Sequence, residues 1–395
     1  MTKIIKNTVA VLILISTTNL WAQKVKQEIM YREDSKFIQP TLSEDLIIPI
    51  LSAEKVKVSK VDAALKDMIQ KNNIIGLQLA IVSNNKIVKT MNYGLANIQD
   101  SVWVDSKTVF SINSMTKAFT GVALMQLAEE GKLNLDDPIS KYLDSLPNSW
   151  KNITIKQLAG HTSGIPDIWN SERNMITENN QIALKKIKEL PIVFQPGERF
   201  GYNQTNYLLL GMLIEKISGK SFEKYLTENQ FNKVGMKNSA KAGLADYYKV
   251  VQHSARSYTH FRNGSLTNMY EEIPENLRTA AGIYSTATEI AEWIIALQSR
   301  QLVKEEKNLE ALWTPMVLTN GKTQGMSDFL NGYAIGFYTS SGTGNSVIAS
   351  LGGLRSGMYI YPKDNISVII LTNSQGFHPE DYLEQIACLY RTENK

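Results

Sequence analysis

The sequence predicts a mixed α/β fold: one antiparallel sheet built from both chain ends, flanked by helices, with an α-rich lobe inserted between the two halves. Three patterns predict it. Hairpin-like alternation spans residues 77–94, a second set of strand-like runs lies between 331 and 373, and helical periodicity is concentrated between them. Length alone would permit two or three domains in 395 residues. A sheet that needs both ends instead makes one folding unit of two lobes.

Residues 1–22 place Lys3 and Lys6 before an apolar run, Val9 to Ile15, and end on Ala22 at a small-residue cleavage position. This is the pattern of a secretory signal peptide, and the apolar run is far shorter than the ~20 residues that span a bilayer. The mature chain is expected to begin near Gln23, with an exported, periplasmic or secreted destination. No later segment is long and apolar enough to span. Residues 23–53 lack a sustained period and read as an extended arm. The domain proper is placed at 54–395, with an α/β lobe from 54–110 and 285–395 and a helical lobe from 111–284.

Within it, a helix near Val61 to Gln70 precedes LQLAIVS (77–83), the turn Asn84-Asn85 and KIVKTMNYG (86–94). Helical patterns follow at Ser114 to Glu130, Asn206 to Ser218, Phe222 to Asn232 and Thr288 to Leu297. Strand-like runs then occupy 331–340, 345–350, 357–362 and 365–373, before an amphipathic segment from Glu380 to Tyr390.

Forty-two Lys+Arg against 38 Asp+Glu give a net charge of +4, or +2 without Lys3 and Lys6, which is no footprint for nucleic acid. Four His and one Cys leave too few soft ligands for a zinc or iron–sulfur site, and no cofactor is implied. Cys388, inside the apolar pattern IACLY, is expected to be buried and inert.

A nucleophile needs a base within reach, and Ser-x-x-Lys on a helix provides both on one face. The spacing occurs at Ser52/Lys55, Ser83/Lys86, Ser114/Lys117 and Ser221/Lys224. Context separates them: the arm, a hairpin turn and a charged segment hold three, whereas Ser114 opens a long, almost uncharged helix. A Lys there either satisfies a buried partner or is held neutral by desolvation, which makes it a general base. Backbone N–H groups at a helix start also favour developing negative charge.

FSINSMTKAFTG, LNLDDPISKYL (133–143), ITIKQLAGHTSGIPD (153–167), PGERFGYNQTNYLLLGMLIEKISGKSFEKYL (196–226) and RTAAGIYSTATEIAEW (278–293) together resemble a known superfamily. It is the serine hydrolase superfamily of penicillin-binding proteins and class C β-lactamases, and the likeness looks closest to its β-lactamase-related esterases and D-amino-acid peptidases. The resemblance implies a β-lactamase/transpeptidase-like fold, acylation of Ser114, Lys117 as its activator, and Tyr202 of a Tyr-x-Asn motif as proton shuttle. It also implies an oxyanion hole made of the nucleophile's N–H and one from the sheet edge holding a third motif. A phenol beside a Lys ammonium is expected to have its pKa lowered.

Two departures stand out. The second motif reads Tyr202-Asn203-Gln204, so its amide is one methylene longer. The third, normally Lys or His, a small residue and Gly, falls at Val347-Ile348-Ala349 or at Ser350-Leu351-Gly352, and neither contains a cation. Arg355 is the candidate to supply that charge from a neighbouring position; the alternative is a surface or sheet-edge residue. Candidate substrate contacts are therefore Asn203, Gln204, Ser350, Gly352 and Arg355. Trp169, Tyr207 and Tyr284 are candidate pocket aromatics or core residues. His161 is expected to order its loop, and His253, His260 and His378 have no supporting context.

The expected partner is a small or peptide-like acyl substrate, an ester or amide. β-Lactamase or D-alanyl-D-alanine carboxypeptidase activity, an acyltransferase or cyclase, and a non-catalytic binding protein are the alternatives; oligomeric state is left open.

Overall fold

The computed structural model describes residues 59–168, 179–245, 249–260, 264–271, 273–340 and 346–393. The leader, the arm, the Ser52/Lys55 pair and Trp169 lie outside the described residues.

In chain order, α1 (Lys60–Lys71) leads into β1 (Gly76–Ser83), β2 (Lys86–Asn97), β3 (Val102–Trp103) and β4 (Phe110–Ser111). The middle of the chain carries α2 (Thr116–Glu129) and α3 (Gln204–Ser218), a small β5 (Ser257–Thr259) and β6 (Thr267–Met269), β7 (Tyr284–Ser285) and α4 (Ala287–Gln298). The last part adds β8 (Gly332–Tyr333), β9 (Tyr338–Thr339), β10 (Ile348–Gly352), β11 (Ser356–Tyr361), β12 (Ile366–Thr372), β13 (Ser374–Gln375) and α5 (Glu380–Glu393).

The main sheet has eight strands in the order β3-β2-β1-β12-β11-β10-β9-β8, so β1 from one end of the domain pairs with β12 from the other. That pairing is antiparallel, Leu77 opposite Thr372 through Ser83 opposite Ile366. Asn84 and Asn85 both take positive φ, 50° and 58°, the geometry of a two-residue hairpin turn that Asn tolerates better than other side chains.

Side chains on alternate positions enter two separate cores. Leu77, Leu79, Ile81, Val368 and Ile370 pack with Leu65, Met68 and Leu383 of α1 and α5. Ala80, Val82, Ile369 and Leu371 face the other way, into the larger core shared with α2, α3 and α4. Both faces are covered, which is why β1, β11 and β12 read as continuous apolar runs. Each fully buried Leu, Ile or Phe there contributes roughly 1.5–3 kcal/mol.

α2 is buried on every side from Thr116 to Leu127. A helix apolar all round belongs in the middle of a core, and this one carries Lys117 in with it.

Several expectations shift. The run at 331–340 forms only the two-residue β8 and β9 around a Gly336 turn, and Phe222 to Asn232 is broken into an α-turn, a π-turn at Thr227–Phe231 and a last short turn. The helices Asn180–Lys188 and Glu306–Trp313 and the sheet β13-β5-β6 add to the elements expected from the sequence. Cys388 is exposed rather than buried: Ile386 and Ala387 take the inward face of α5 and one further residue turns Cys388 out. Its thiol lies 3.2 Å from Glu384 Oε1, and burial, then that carboxylate, pushes it up.

Candidate active site

The chain enters the site through β4, turns at Asn113 with φ 48° and makes one 3-10 turn, Asn113–Met115, before α2 begins. Ser114 sits in that turn, half-buried, and Lys117 lies one turn further on. Lys117 Nζ donates to Ser114 Oγ at 3.3 Å, Gln204 Oε1 at 3.0 Å and the Ala280 carbonyl at 3.1 Å. It also lies 4.7 Å from the centre of the Tyr202 ring and 5.2 Å from that of Tyr207. All three acceptors are neutral. Burial pulls Lys117 down to about 7, against the opposing influence of the Asp167 carboxylate, because a charged ammonium loses its hydration inside the core.

Tyr202 is placed by the residue that follows it. Asn203 is the N-cap of α3: its Oδ1 accepts from Asn206 N at 3.1 Å, its Nδ2 donates to the Ile165 carbonyl at 2.7 Å, and its own N–H donates to His161 Nδ1 at 3.1 Å. An Asn cap contributes about 1 kcal/mol, and here it also locks the 161–167 loop to the start of α3. Tyr202 then projects between His161, 4.4 Å away ring to ring, and Tyr338, stacked at 6.3 Å with an interplanar angle of 8°. Ser114 acts on its hydroxyl as a polar neighbour that favours the ionised form.

The expected lowering of the phenol is corrected: burial pushes Tyr202 up, and Ser114 offsets this only in part. The reason is physical. Burial removes the water that would stabilise a phenolate, and the Asp167 carboxylate disfavours it further. Tyr202 is therefore a hydroxyl donor beside an amine base.

Gln204, the longer amide, reaches Lys117 with Oε1 while its backbone N–H donates to Asp167 Oδ1 at 2.9 Å. Asn203 as a substrate contact is corrected, since both ends of its amide are held by the protein. His161 is wholly buried with burial driving its pKa well below the usual range; as an acceptor from Asn203 N it orders the loop. Tyr207 is likewise buried, its hydroxyl on the Ala159 carbonyl at 2.9 Å.

On the sheet side, Gly352 lies against the nucleophile turn. A Cβ at Gly352 would run into the Ile112 carbonyl and sit 3.2 Å from Met115 N. Ser350 is buried two residues earlier on the same face of β10, whereas Val347 and Ala349 join the opposite core. The segment meeting the nucleophile is thus Ser350-Leu351-Gly352.

Arg355 is neither a surface residue nor an available cation. Only 1% exposed, its guanidinium forms an ion pair with Glu271 and donates to Ser257 Oγ at 2.6 Å. Tyr284, paired across from Ser111, is pushed up to about 12 by burial and then by Glu271. The two other Ser-x-x-Lys pairs among the described residues are structural: Ser83 and Lys86 face each other across the β1–β2 turn, and Ser221 caps a helix by accepting from Lys224 N.

Two residues were not singled out from sequence. Asp167 closes the HTSGIPD stretch, and position at the end of that stretch was the available signal. Glu271 lies in YEEIPEN, where nothing distinguishes one carboxylate from its neighbours.

The family model described as Beta-lactamase matches residues 61–387. Protein flp of Staphylococcus aureus (strain MRSA252) is 30% identical over 323 residues, 80% of this chain and 62% of that protein, so the chain spans less than two thirds of that relative's length. Teichoic acid D-alanine hydrolase of the same strain is 26% identical over 336 residues, 83% of this chain and 76% of that protein. The octameric penicillin-binding protein homologue from Pyrococcus abyssi superposes with a TM-score of 0.73 at 23% identity, covering 86% of this chain and 78% of the other, a likeness of fold. With the matched model covering most of its length and the same mixed sheet-and-helix architecture, the chain belongs to the Beta-lactamase family, within the superfamily of serine β-lactamases and penicillin-binding proteins.

Proposed function

We propose that the protein is an exported serine hydrolase that forms an acyl-enzyme on Ser114 with ester or peptide-like amide substrates. The observation that carries this reading is the meeting of Ser114 Oγ, a wholly buried Lys117 with its pKa near 7, and the Tyr202 hydroxyl. Neutral Lys117 takes the Ser114 proton as Oγ attacks the acyl carbon. The N–H groups of the nucleophile turn and of the β10 end receive the oxyanion. Tyr202 gives its proton to the departing oxygen or nitrogen and is reprotonated by the Lys117 ammonium. Water then repeats the sequence in reverse and frees Ser114.

The substrate reading follows from charge. β10 carries no Lys or Arg, Arg355 is paired with Glu271, and the carboxylate acting on Lys117 and Tyr202 is that of Asp167. A carboxylate-bearing acyl group, as in β-lactams or D-alanyl-D-alanine, finds no counter-charge in β10 or Arg355 among the described residues, and a buried unpaired carboxylate costs several kcal/mol. An acyl group carrying an ammonium suits the site better. The name of the teichoic acid D-alanine hydrolase relative supports the same choice, a substrate carrying D-alanine.

The test compares a D-alanyl ester, its L-isomer, a short p-nitrophenyl ester and a chromogenic cephalosporin on the mature protein, with Ser114→Ala as control. Ester turnover without lactam turnover, lost in Ser114→Ala, is the expected result. Lactam turnover as fast as ester turnover would overturn the substrate reading, and activity surviving in Ser114→Ala would overturn the nucleophile.

A further inference from the structure

Two tight turns meet at the proposed oxyanion site, and both contain left-handed backbone. The nucleophile turn holds Asn113 at φ 48°; the β10–β11 turn holds Gly353 at 56° and Leu354 at 52°. The second turn is closed by Arg355 N donating to the Gly352 carbonyl at 3.1 Å. Leu at positive φ is strained by roughly 1–3 kcal/mol and persists only where its surroundings fix it. The turns are in contact: Gly352 abuts Ile112 and Met115, and a Cβ on Gly353 would sit 2.8 Å from the Asn113 side chain.

One carboxylate reaches both. Glu271 Oε1 accepts from Ser111 Oγ at 3.2 Å, on the strand that leads into the nucleophile turn. The same carboxylate pairs with Arg355, the residue that closes the β10–β11 turn, and its Oε2 accepts from Ser257 Oγ at 3.2 Å. Arg355 Nη1 donates to that same Ser257 Oγ. Glu271 and Arg355 are both largely withdrawn from solvent, with side-chain exposures of 12% and 2%. A buried pair of this kind rarely contributes net stability over an apolar replacement, so its use is better sought in geometry.

We propose that Glu271 is a positioning residue: by holding Ser111 and Arg355 together, it sets the gap between the nucleophile turn and the β10–β11 turn, and so the oxyanion geometry. This rests on the acyl-enzyme reading above. Arg355 serves the reaction through this pairing and touches no substrate. Misplacement of one turn by about 1 Å is enough to cost up to about 100-fold in rate.

The test uses the full chain with two variants, Glu271→Gln and the double Glu271→Gln/Arg355→Met. The double leaves no orphaned ion and keeps the proposal testable if the single variant folds poorly. The readouts are the rate of fluorophosphonate labelling per titratable site, and kcat and KM for a p-nitrophenyl ester. Labelling rate and kcat are expected to fall together by about 10- to 100-fold, with KM within about twofold of wild type. A double variant labelled at the wild-type rate, in a reaction lost in Ser114→Ala, overturns this proposal alone. A raised KM with unchanged kcat also overturns it, by assigning Arg355 to substrate binding. Labelling that persists in Ser114→Ala brings down the catalytic reading and this proposal together.

Discussion

Among the described residues, Lys117 and Arg355 are cations buried in opposite ways. Arg355 faces a carboxylate, Glu271, with Ser257 filling part of the remaining donor capacity. Lys117 is just as deeply buried but donates to a hydroxyl, an amide and a backbone carbonyl, all neutral. The paired cation is engaged in bridging two turns. The other is drawn down to about 7 by burial, which leaves it able to accept a proton near neutrality. Position along the chain does not make this difference; the chemistry of the buried group and of its nearest partner does.

If that contrast is right, the two sites fail differently when altered. Ser114→Ala removes the group both serve and is expected to abolish fluorophosphonate labelling with the Tm unchanged; measurable labelling would break the account at its root. Lys117→Met should lower kcat/KM by about 10³-fold, the range of a lost general base, with the labelling assay as readout. Arg355→Met strips one partner from a buried pair and is expected to cost about 3–5 kcal/mol of stability in denaturant titration. If Arg355→Met proves as stable as wild type, the pair is not the buried ionic contact described here.

A finer comparison separates the two groups that act on Lys117. Gln204→Asn shortens the amide that accepts from Nζ and should slow turnover about five- to tenfold, the worth of roughly 1 kcal/mol of hydrogen bonding; an unchanged rate would dismiss Gln204 as a positioning group. Asp167→Asn removes the influence that raises Lys117. Since neutral Lys117 is the active form, kcat/KM rises with pH through the Lys117 pKa, and this variant should move that rise to lower pH. A shift in the opposite direction would show that Asp167 acts through structure instead of charge.

Much of the architecture was legible because it rests on local patterns. The β1–β2 hairpin announces itself by Asn84-Asn85 between alternating runs, and the sheet made from both ends follows from matching strand patterns at 77–94 and 331–373. Ser114 and Lys117 were legible because α2 is uncharged around its one Lys. What could not be read depends on distant partners. Arg355 finds Glu271 84 residues away, and no spacing rule encodes that meeting. Cys388 was misplaced because an apolar word of five letters spans more than one face of a helix. The state of Tyr202 turned on its own burial, which no local pattern encodes.

If Lys117 serves Ser114 as a neutral base, the pH dependence of labelling must follow its deprotonation. Fluorophosphonate labelling of the wild-type protein, with Ser114→Ala as control, is predicted to rise through a single limb near pH 7 and level off above it. A rate flat across that range, or a limb that survives in Lys117→Met, would contradict that role and assign the proton to another group.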